Sequence, residues 1–186
     1  MGFLDIIASL IFFFFIISFS VIGFYQKKFL KIMIFSPFDF FQKKRYFQLI
    51  TGGFVHSSVG HLVLNLVIFY FFAFSLNNQI GNKQFFIIYF ASLIGSHLIT
   101  LLKNKKKEDF ASLGASGALA GILFAFMLFN PETKLSLFFL PIGIPVPFFA
   151  LGFLAYSFFK AKKKEDSRVN HESHLWGAVS GFITAF

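Results

Sequence analysis

The stretch SLGASGALAG (residues 112–121) is built almost entirely of small residues, in a chain where 34 of the 186 residues are Phe. Within it, Gly117 and Gly121 lie four residues apart, which places both on one face of a helix. Gly177 and Gly181 repeat this spacing further along the chain. Such G-x-x-x-G pairs allow two membrane helices to approach with their backbones in close contact. We therefore predict that the helices carrying these pairs pack together at the centre of a bundle.

The composition around this stretch is typical of a membrane protein. Hydrophobic residues make up 56% of the chain, and its mean hydropathy is +0.74, whereas soluble domains are about 45–50% apolar. Runs of 18 or more apolar residues can cross a hydrocarbon core about 30 Å thick as helices. We predict an all-α polytopic fold, a six-transmembrane-helix bundle forming a single domain over residues 1–186. The six spans are expected at residues 3–25, 59–76, 84–102, 115–129, 146–159 and 173–186.

The segments between the spans carry the polar and turn-forming residues. Basic and aromatic residues alternate between the first two spans, as in chains that lie in the lipid headgroup region. This predicts an interfacial first loop. The segment NNQIGNKQ (77–84) predicts a tight polar turn. Three prolines in PIGIPVP (141–147) delay the start of the fifth span to about Val146, because proline disfavours helical geometry before it.

The net charge of +9 has a membrane explanation. The lysines form clusters between apolar runs, which favours attraction to a membrane surface over nucleic-acid binding. We expect the lipid bilayer, including anionic lipids, as a partner and no nucleic acid. The loops after the first, third and fifth spans share one side and hold all but two, Lys83 and Lys134, of the 17 Lys and Arg residues. The positive-inside rule assigns that side to the cytoplasm.

Several polar residues fall at membrane depth, where polar groups are costly and usually serve function. Five of them are candidates for a site: His56, His61, Asn65, Ser116 and His174. His61 and Asn65 are four apart on the second span and share a face. His174 lies on the same helical stripe as Gly177. His97 and His171 match no such spacing and are assigned structural or surface roles.

These residue types suit acyl transfer. A serine hydroxyl becomes an effective nucleophile when a base takes its proton, and an imidazole can do so near neutral pH. The developing oxyanion needs donors, which His and Asn side chains and the N–H groups of a helix N-terminus supply. Each residue also has a structural explanation. Ser116 can bond to its own helix, His61 and Asn65 can join helices, His174 can reach an interface, and the glycines can serve packing alone.

Three motifs together are more specific than any one residue. They are Arg45 with HSSVGHLVLN (56–65), GASG (114–117) and HLWGAVSG (174–181), on or beside the second, fourth and sixth predicted spans. In residue types, spacing and order the chain resembles the rhomboid family of intramembrane serine proteases. The resemblance covers about residues 40–186.

The resemblance implies a Ser–His dyad without a third acid and without a metal or cofactor. Ser116 would attack the scissile carbonyl, and His174 would act first as general base and then as general acid. The Ser116 backbone N–H and the side chains of His61 and Asn65 would form the oxyanion hole. The short fourth span of the family would place the serine below the membrane surface in a water-filled cavity.

The resemblance also implies a supporting set around the dyad. Its members are His56, Arg45, Gly114, Gly117, Gly177 and Gly181. Of these, His56 and Arg45 resemble first-loop scaffold, and Gly114 keeps the turn before the serine open. The chain departs from the family pattern at Ala120, where many relatives have an aromatic residue against the catalytic imidazole. Asn77 and Lys44 also differ, standing near positions where Glu and Trp are common.

The expected function is therefore hydrolysis of peptide bonds in or near the spans of single-span membrane proteins. The expected location is a multi-pass position in a bacterial inner membrane. The alternative is a non-catalytic rhomboid-like protein that binds transmembrane helices, although such relatives lose the serine or histidine. A small transporter or channel subunit would need ionisable residues strung across the bundle. In bacterial rhomboids the site faces away from the cytoplasm, contrary to the positive-inside assignment, so the orientation stays open.

Overall fold

The structure is a computed structural model that describes residues 3–137, 140–163 and 170–186. Helices joined by short turns make up most of it. The α-helices are α1 (Phe3–Tyr25), α2 (Lys27–Met33), α3 (Pro37–Gln42), α4 (Gln48–Thr51), α5 (Val59–Ile68), α6 (Phe74–Asn104), α7 (Ser116–Phe129), α8 (Val146–Lys163) and α9 (His171–Ala185). A 3₁₀ turn covers Gly52–Phe54, and a π-helical turn covers Phe69–Ala73.

Among the residues that the structure describes, two long helical stretches have the length and apolar composition of membrane spans. They are Ile7–Tyr25 and Val59–Asn104. The second is interrupted at Gly81, whose φ of 77° and ψ of 165° lie outside helical geometry. His61 before this break and Asn104 after it line the same cavity, so the chain turns back on itself at the glycine. The predicted polar turn is therefore a break at one residue between two antiparallel helices.

The all-α prediction is wrong for one segment, which forms a β-hairpin. Its strands, β1 (Lys134–Leu137) and β2 (Leu140–Pro145), pair antiparallel with Lys134 opposite Pro145. The prolines here predict a late start of the fifth span and no strand. However, both strands of a two-stranded hairpin are edges, where a residue without an N–H is tolerated. Helix α8 begins at Val146, immediately after the hairpin, as the proline pattern predicts.

The remaining predicted boundaries differ from the observed helices by a few residues. Helix α8 continues to Lys163, four residues beyond the predicted end, and α9 begins at His171, two residues before the predicted start. Part of the predicted basic loop between them, residues 164–169, lies outside the described residues. Helix α7 ends at Phe129, where Asn130 and the following proline stop it.

The first loop, residues 26–58, folds into the short helices α2, α3 and α4 and the 3₁₀ turn. Backbone hydrogen bonds of 3.1 and 2.9 Å between Phe35 and Ser112 join it to the segment before α7. The Phe35 ring also stacks on His97 of α6, with ring centroids 4.3 Å apart. The loop is therefore held against the helices at the end where α7 begins. Its depth in a bilayer stays a prediction.

Helix α7 lies at the centre of the molecule. Every residue from Gly117 to Phe126 is buried. Its 14 residues span about 21 Å at 1.5 Å per residue, which is shorter than a hydrocarbon core. Ser116 therefore begins a helix too short to reach both membrane surfaces.

Candidate active site

The site is built around the first residue of α7 and the first turn of α9. His174 Nε2 lies 2.9 Å from the Oγ atom of Ser116, within hydrogen-bond distance. His174 is buried and Ser116 is partly exposed. Ser116 is followed by Gly117 on a helix whose first-turn N–H groups have no partner within the helix. The structure therefore joins a hydroxyl, an imidazole and helix N–H groups without an intrahelical partner in one place.

The glycines of α7 and α9 bring these two residues together. A Cβ atom added at Gly177 would fall on the carbonyl oxygen of Gly117, and one added at Gly181 would fall on the backbone of Gly121. The two helices therefore touch backbone to backbone. Any side chain at these positions would push the helices apart and change the distance between Ser116 and His174.

Ser116 lines two cavities. The smaller, of about 110 Å³, is lined by the four polar site residues and by apolar side chains of α5, α7 and α8. The polar residues lining it are His61, Asn65, Ser116 and His174. The larger, of about 750 Å³, opens towards the segment before α7 and the start of α9. Ser116 and His61 line both cavities, so the larger cavity extends to the serine.

His61 and Asn65 lie on the α5 face that borders the smaller cavity. The Oγ atom of Ser57 lies 3.2 Å from His61 Nδ1, which leaves Nε2 directed elsewhere. Asn65 Nδ2 donates to the carbonyl oxygen of His61 at 2.8 Å. Asn65 Oδ1 is buried and has no hydrogen-bond partner among the described residues. One amide hydrogen of Asn65 is therefore used within α5, and the second is the one available to a ligand.

Gly114 shapes the turn before the serine. Its φ of 111° is a conformation that side chains rarely adopt. A Cβ atom there would lie 2.7 Å from Cε1 and 3.0 Å from Nε2 of the His61 ring. Its own N–H donates to the carbonyl oxygen of Gly52 in the first loop, at 2.9 Å. The glycine thus allows the turn and the close approach of His61 together.

His56 connects three parts of the chain from a fully buried position. The Ser20 hydroxyl donates to the Phe54 carbonyl oxygen at 2.9 Å, so it accepts from His56 Nδ1, also at 2.9 Å. His56 Nε2 accepts from the Ala115 N–H at 3.3 Å. Burial, with a smaller contribution from His61, lowers the pKa of His56 to about 3. A neutral ring therefore ties α1 to the residue before Ser116.

Arg45 lies away from the dyad and lines neither cavity. Its Nη1 atom donates to Asp39 at 2.9 Å, and the same carboxylate pairs with Lys43 at 2.8 Å. Lys44 between them has a φ of 53°. Arg45 therefore contributes to the shape of the first loop. Asn77, another departure from the family pattern, is buried and donates to Asn82 across the Gly81 break, at 3.2 Å.

The departure at Ala120 has a structural counterpart on another helix. Ala120 is buried and lines the smaller cavity. The aromatic ring against His174 comes from Phe153 of α8, with centroids 5.4 Å apart and planes at 30°. Ser157, one turn further along α8, lies 3.5 Å from His174 Nδ1 through its Oγ atom. Sequence reasoning missed both residues, because their spacing of four places them on one helix face but does not show which neighbour that face meets.

His171 is a further residue that sequence reasoning placed elsewhere. It is buried, lines the larger cavity, and its ring centroid lies 5.5 Å from that of His174. Tyr156 of α8 contacts its ring at the same centroid distance of 5.5 Å. His171 and His174 are three apart on α9, a spacing that predicts neighbouring side chains. His171 therefore belongs to the surroundings of the site.

The fold and the site define a mostly helical polytopic protein with a serine hydroxyl and an imidazole paired at the start of a short central helix. The sequence model of the Rhomboid domain matches residues 43–186, and the chain belongs to the rhomboid family of membrane proteins.

Relatives of known name agree with this membership. The chain is 30% identical over 161 residues to RHOMBOID-like protein 12, mitochondrial, of Arabidopsis thaliana, covering 78% of this chain and 47% of that protein. It is 31% identical over 141 residues to Rhomboid protein 1, mitochondrial, of Saccharomyces cerevisiae, covering 73% and 40%. It is 28% identical over 142 residues to the presenilin-associated rhomboid-like protein, mitochondrial, of Homo sapiens, covering 72% and 35%. The chain spans less than half the length of each of these relatives.

Proposed function

We propose that this protein is an intramembrane serine endopeptidase that cleaves peptide bonds in or near the spans of single-span membrane proteins. The observation that carries the proposal is the 2.9 Å separation of His174 Nε2 and Ser116 Oγ. Rhomboid membership supports it, as does the cavity that leads to the hydroxyl. The proposed cleavage takes place within the multi-pass helical domain in the membrane. The expected bacterial inner membrane is not supported by the relatives, which are named mitochondrial, and stays a prediction.

In the proposed first step, Ser116 Oγ forms a bond to the scissile carbonyl carbon while its proton moves to His174 Nε2. The carbonyl oxygen becomes an oxyanion. The Ser116 backbone N–H and the side chains of His61 and Asn65 would donate to it. Removing one such donor should lower the rate by about 10²–10³. Ser57 would support this role of His61, since a hydroxyl donating to Nδ1 leaves the hydrogen on Nε2.

In the second step the bond between the carbonyl carbon and the amide nitrogen breaks, and His174 returns its proton to the leaving amine. An acyl-enzyme ester on Ser116 remains. Water from the larger cavity then attacks this ester as His174 takes the water's proton, and the serine regains its hydrogen when the acid product leaves. Each bond formed is matched by one broken, and no other reactant is needed.

The test is cleavage by the purified protein in liposomes that also hold a set of tagged single-span proteins. The wild type should release fragments whose new ends lie in or beside the spans, as read by mass spectrometry. Ser116→Ala and His174→Ala should each reduce the fragments by at least about 10²–10⁴-fold, since each removes a reacting group. If the wild type binds the tagged proteins but leaves them intact, the non-catalytic alternative is correct.

A further inference from the structure

Helix α8 places two different groups against the same imidazole. Ser157 Oγ lies 3.5 Å from Nδ1 of His174, the nitrogen on the opposite side of the ring from Ser116. The Phe153 ring lies against the imidazole in a tilted arrangement, with centroids 5.4 Å apart and planes at 30°. The Ser157 hydroxyl therefore lies at Nδ1 of the His174 ring, and the Phe153 ring packs beside it.

Ser157 lies on the buried face of α8, together with Val146 and Ala150. Much of α8 faces outward, and Phe148 and Phe159 are 71% and 63% exposed. Ser157 is 0% exposed. Phe153 and Ser157 are four residues apart, so they share the face that meets α9. A hydroxyl on a helix of this composition is thus turned inward, towards the second nitrogen of His174.

The chemistry of the imidazole gives this hydroxyl a role. A neutral imidazole carries one hydrogen, and Nε2 must lack it to accept the Ser116 proton. The hydrogen is then on Nδ1, where Ser157 Oγ is the acceptor. When His174 gains a second proton, both ring nitrogens become donors and the bond to Ser157 becomes charge-assisted. The face of Phe153 also attracts the ring more strongly once it is a cation.

We propose that Ser157 and Phe153 are positioning residues for His174, which hold its ring and its tautomer so that Nε2 meets Ser116. The inference rests on the proposed function. In this protein Phe153 of α8 would support the His174 ring, a role that an aromatic residue in place of Ala120 would otherwise have from α7. Competence of the dyad then depends on α8 being packed against α9.

Threonine and valine at position 157 provide a matched pair, because their side chains have almost the same shape and only threonine has a hydroxyl. With a cleavable tagged protein, Ser157→Val and Ser157→Ala should lower kcat by about 10- to 100-fold with little change in KM, as expected for loss of a bond to a charged ring. Ser157→Thr should restore most of the wild-type kcat. Ser92→Ala is the control, since Ser92 is equally buried and its hydroxyl donates within its own helix, to the carbonyl oxygen of Ile88 on α6.

For the aromatic contact, Phe153→Leu should lower kcat by about 3- to 30-fold. Phe158→Leu on the exposed side of α8 should leave kcat unchanged. The nitrogen-15 NMR spectrum of His174 in micelles provides a readout that needs no turnover. The wild type and Ser157→Thr should give the Nδ1–H tautomer, and Ser157→Val should give a mixture.

The outcomes separate this inference from the proposed function. If the wild type cleaves and Ser157→Val matches Ser157→Thr in kcat and in tautomer, the positioning role is wrong and the protease function stands. If the wild type does not cleave but the tautomer depends on the hydroxyl at 157, the contact is real and the protease function fails.

Discussion

Helix α9 meets its neighbours α7 and α8 in two different ways. Towards α7 it presents glycines, and the backbones of Gly177 and Gly117 are in direct contact. Towards α8 it presents the His174 ring, which meets the Phe153 ring and the Ser157 hydroxyl. The first contact is between backbones, which have almost no freedom to adjust, whereas the second is between side chains that can change rotamer.

This difference separates the two members of the proposed dyad. Ser116 occupies a fixed place because α7 is buried and its backbone lies against α9. The backbone of His174 is equally fixed, but the direction of its ring depends on side chains from α8. We therefore expect substitutions at the α7–α9 contact to affect folding, and substitutions at the α8–α9 contact to affect turnover.

The largest effect is expected from a methyl group added where the backbones of α7 and α9 touch. Gly177→Ala should lower the free energy of unfolding in mixed micelles by about 1–3 kcal/mol or more, because neither backbone can move aside. Activity should fall with it. The matched control is Gly152→Ala on α8, where an added Cβ meets nothing within 4 Å. Gly152→Ala should raise the free energy of unfolding by no more than about 1 kcal/mol, because alanine has a higher helix propensity than glycine. Equal effects of the two substitutions would contradict the comparison.

A smaller change in stability is expected from His56, which bonds to the turn before α7. The pKa of His56 is lowered to about 3, below its unfolded value of about 6.5. Between these values the unfolded chain binds a proton that the folded chain does not, so stability is lost as the pH falls. The slope approaches about 1.4 kcal/mol per pH unit, or about 2 kcal/mol between pH 7 and pH 5.

His56→Gln removes this titration while keeping an acceptor for the Ala115 N–H. Other groups titrate in both proteins, so the difference in unfolding free energy between wild type and variant isolates His56. The unfolding free energy of the wild type, measured relative to that of His56→Gln, should fall by about 2 kcal/mol from pH 7 to pH 5. Parallel pH curves for the two proteins would show that His56 is not held neutral.

The sequence predicted most of the helical framework because its signals are local. The apolar run of 3–25 coincides with α1, and the stop after Phe129 follows from the proline next to Asn130. The glycines at 117, 121, 177 and 181 predict contact between two helices that are far apart in the chain. Glycines four residues apart leave one helix face without side chains, so another backbone can approach it closely. The strands β1 and β2 were not predicted, because prolines at strand edges and prolines in loops give the same signal.

The residues of the candidate site likewise include some that the sequence predicts and some that it does not. Ser116, His174, His61 and Asn65 carry a motif, and the structure places them around one cavity. Ser20, whose hydroxyl meets His56, carries no motif and lies in an apolar run where a serine usually bonds to its own helix. The contacts of Phe153 and Ser157 with His174 depend on how α8 turns about its axis, and the composition of α8 does not determine that angle.

The central claim, that the Ser116 hydroxyl is activated by His174, is tested most directly by labelling with a fluorophosphonate probe. Such a probe forms a covalent bond only with a serine whose proton is taken by a base. The account predicts one adduct in the wild type, located on Ser116 by mass spectrometry, none on Ser116→Ala, and much slower labelling of His174→Ala. Equal labelling of the wild type and Ser116→Ala, or an adduct at another residue, would contradict it.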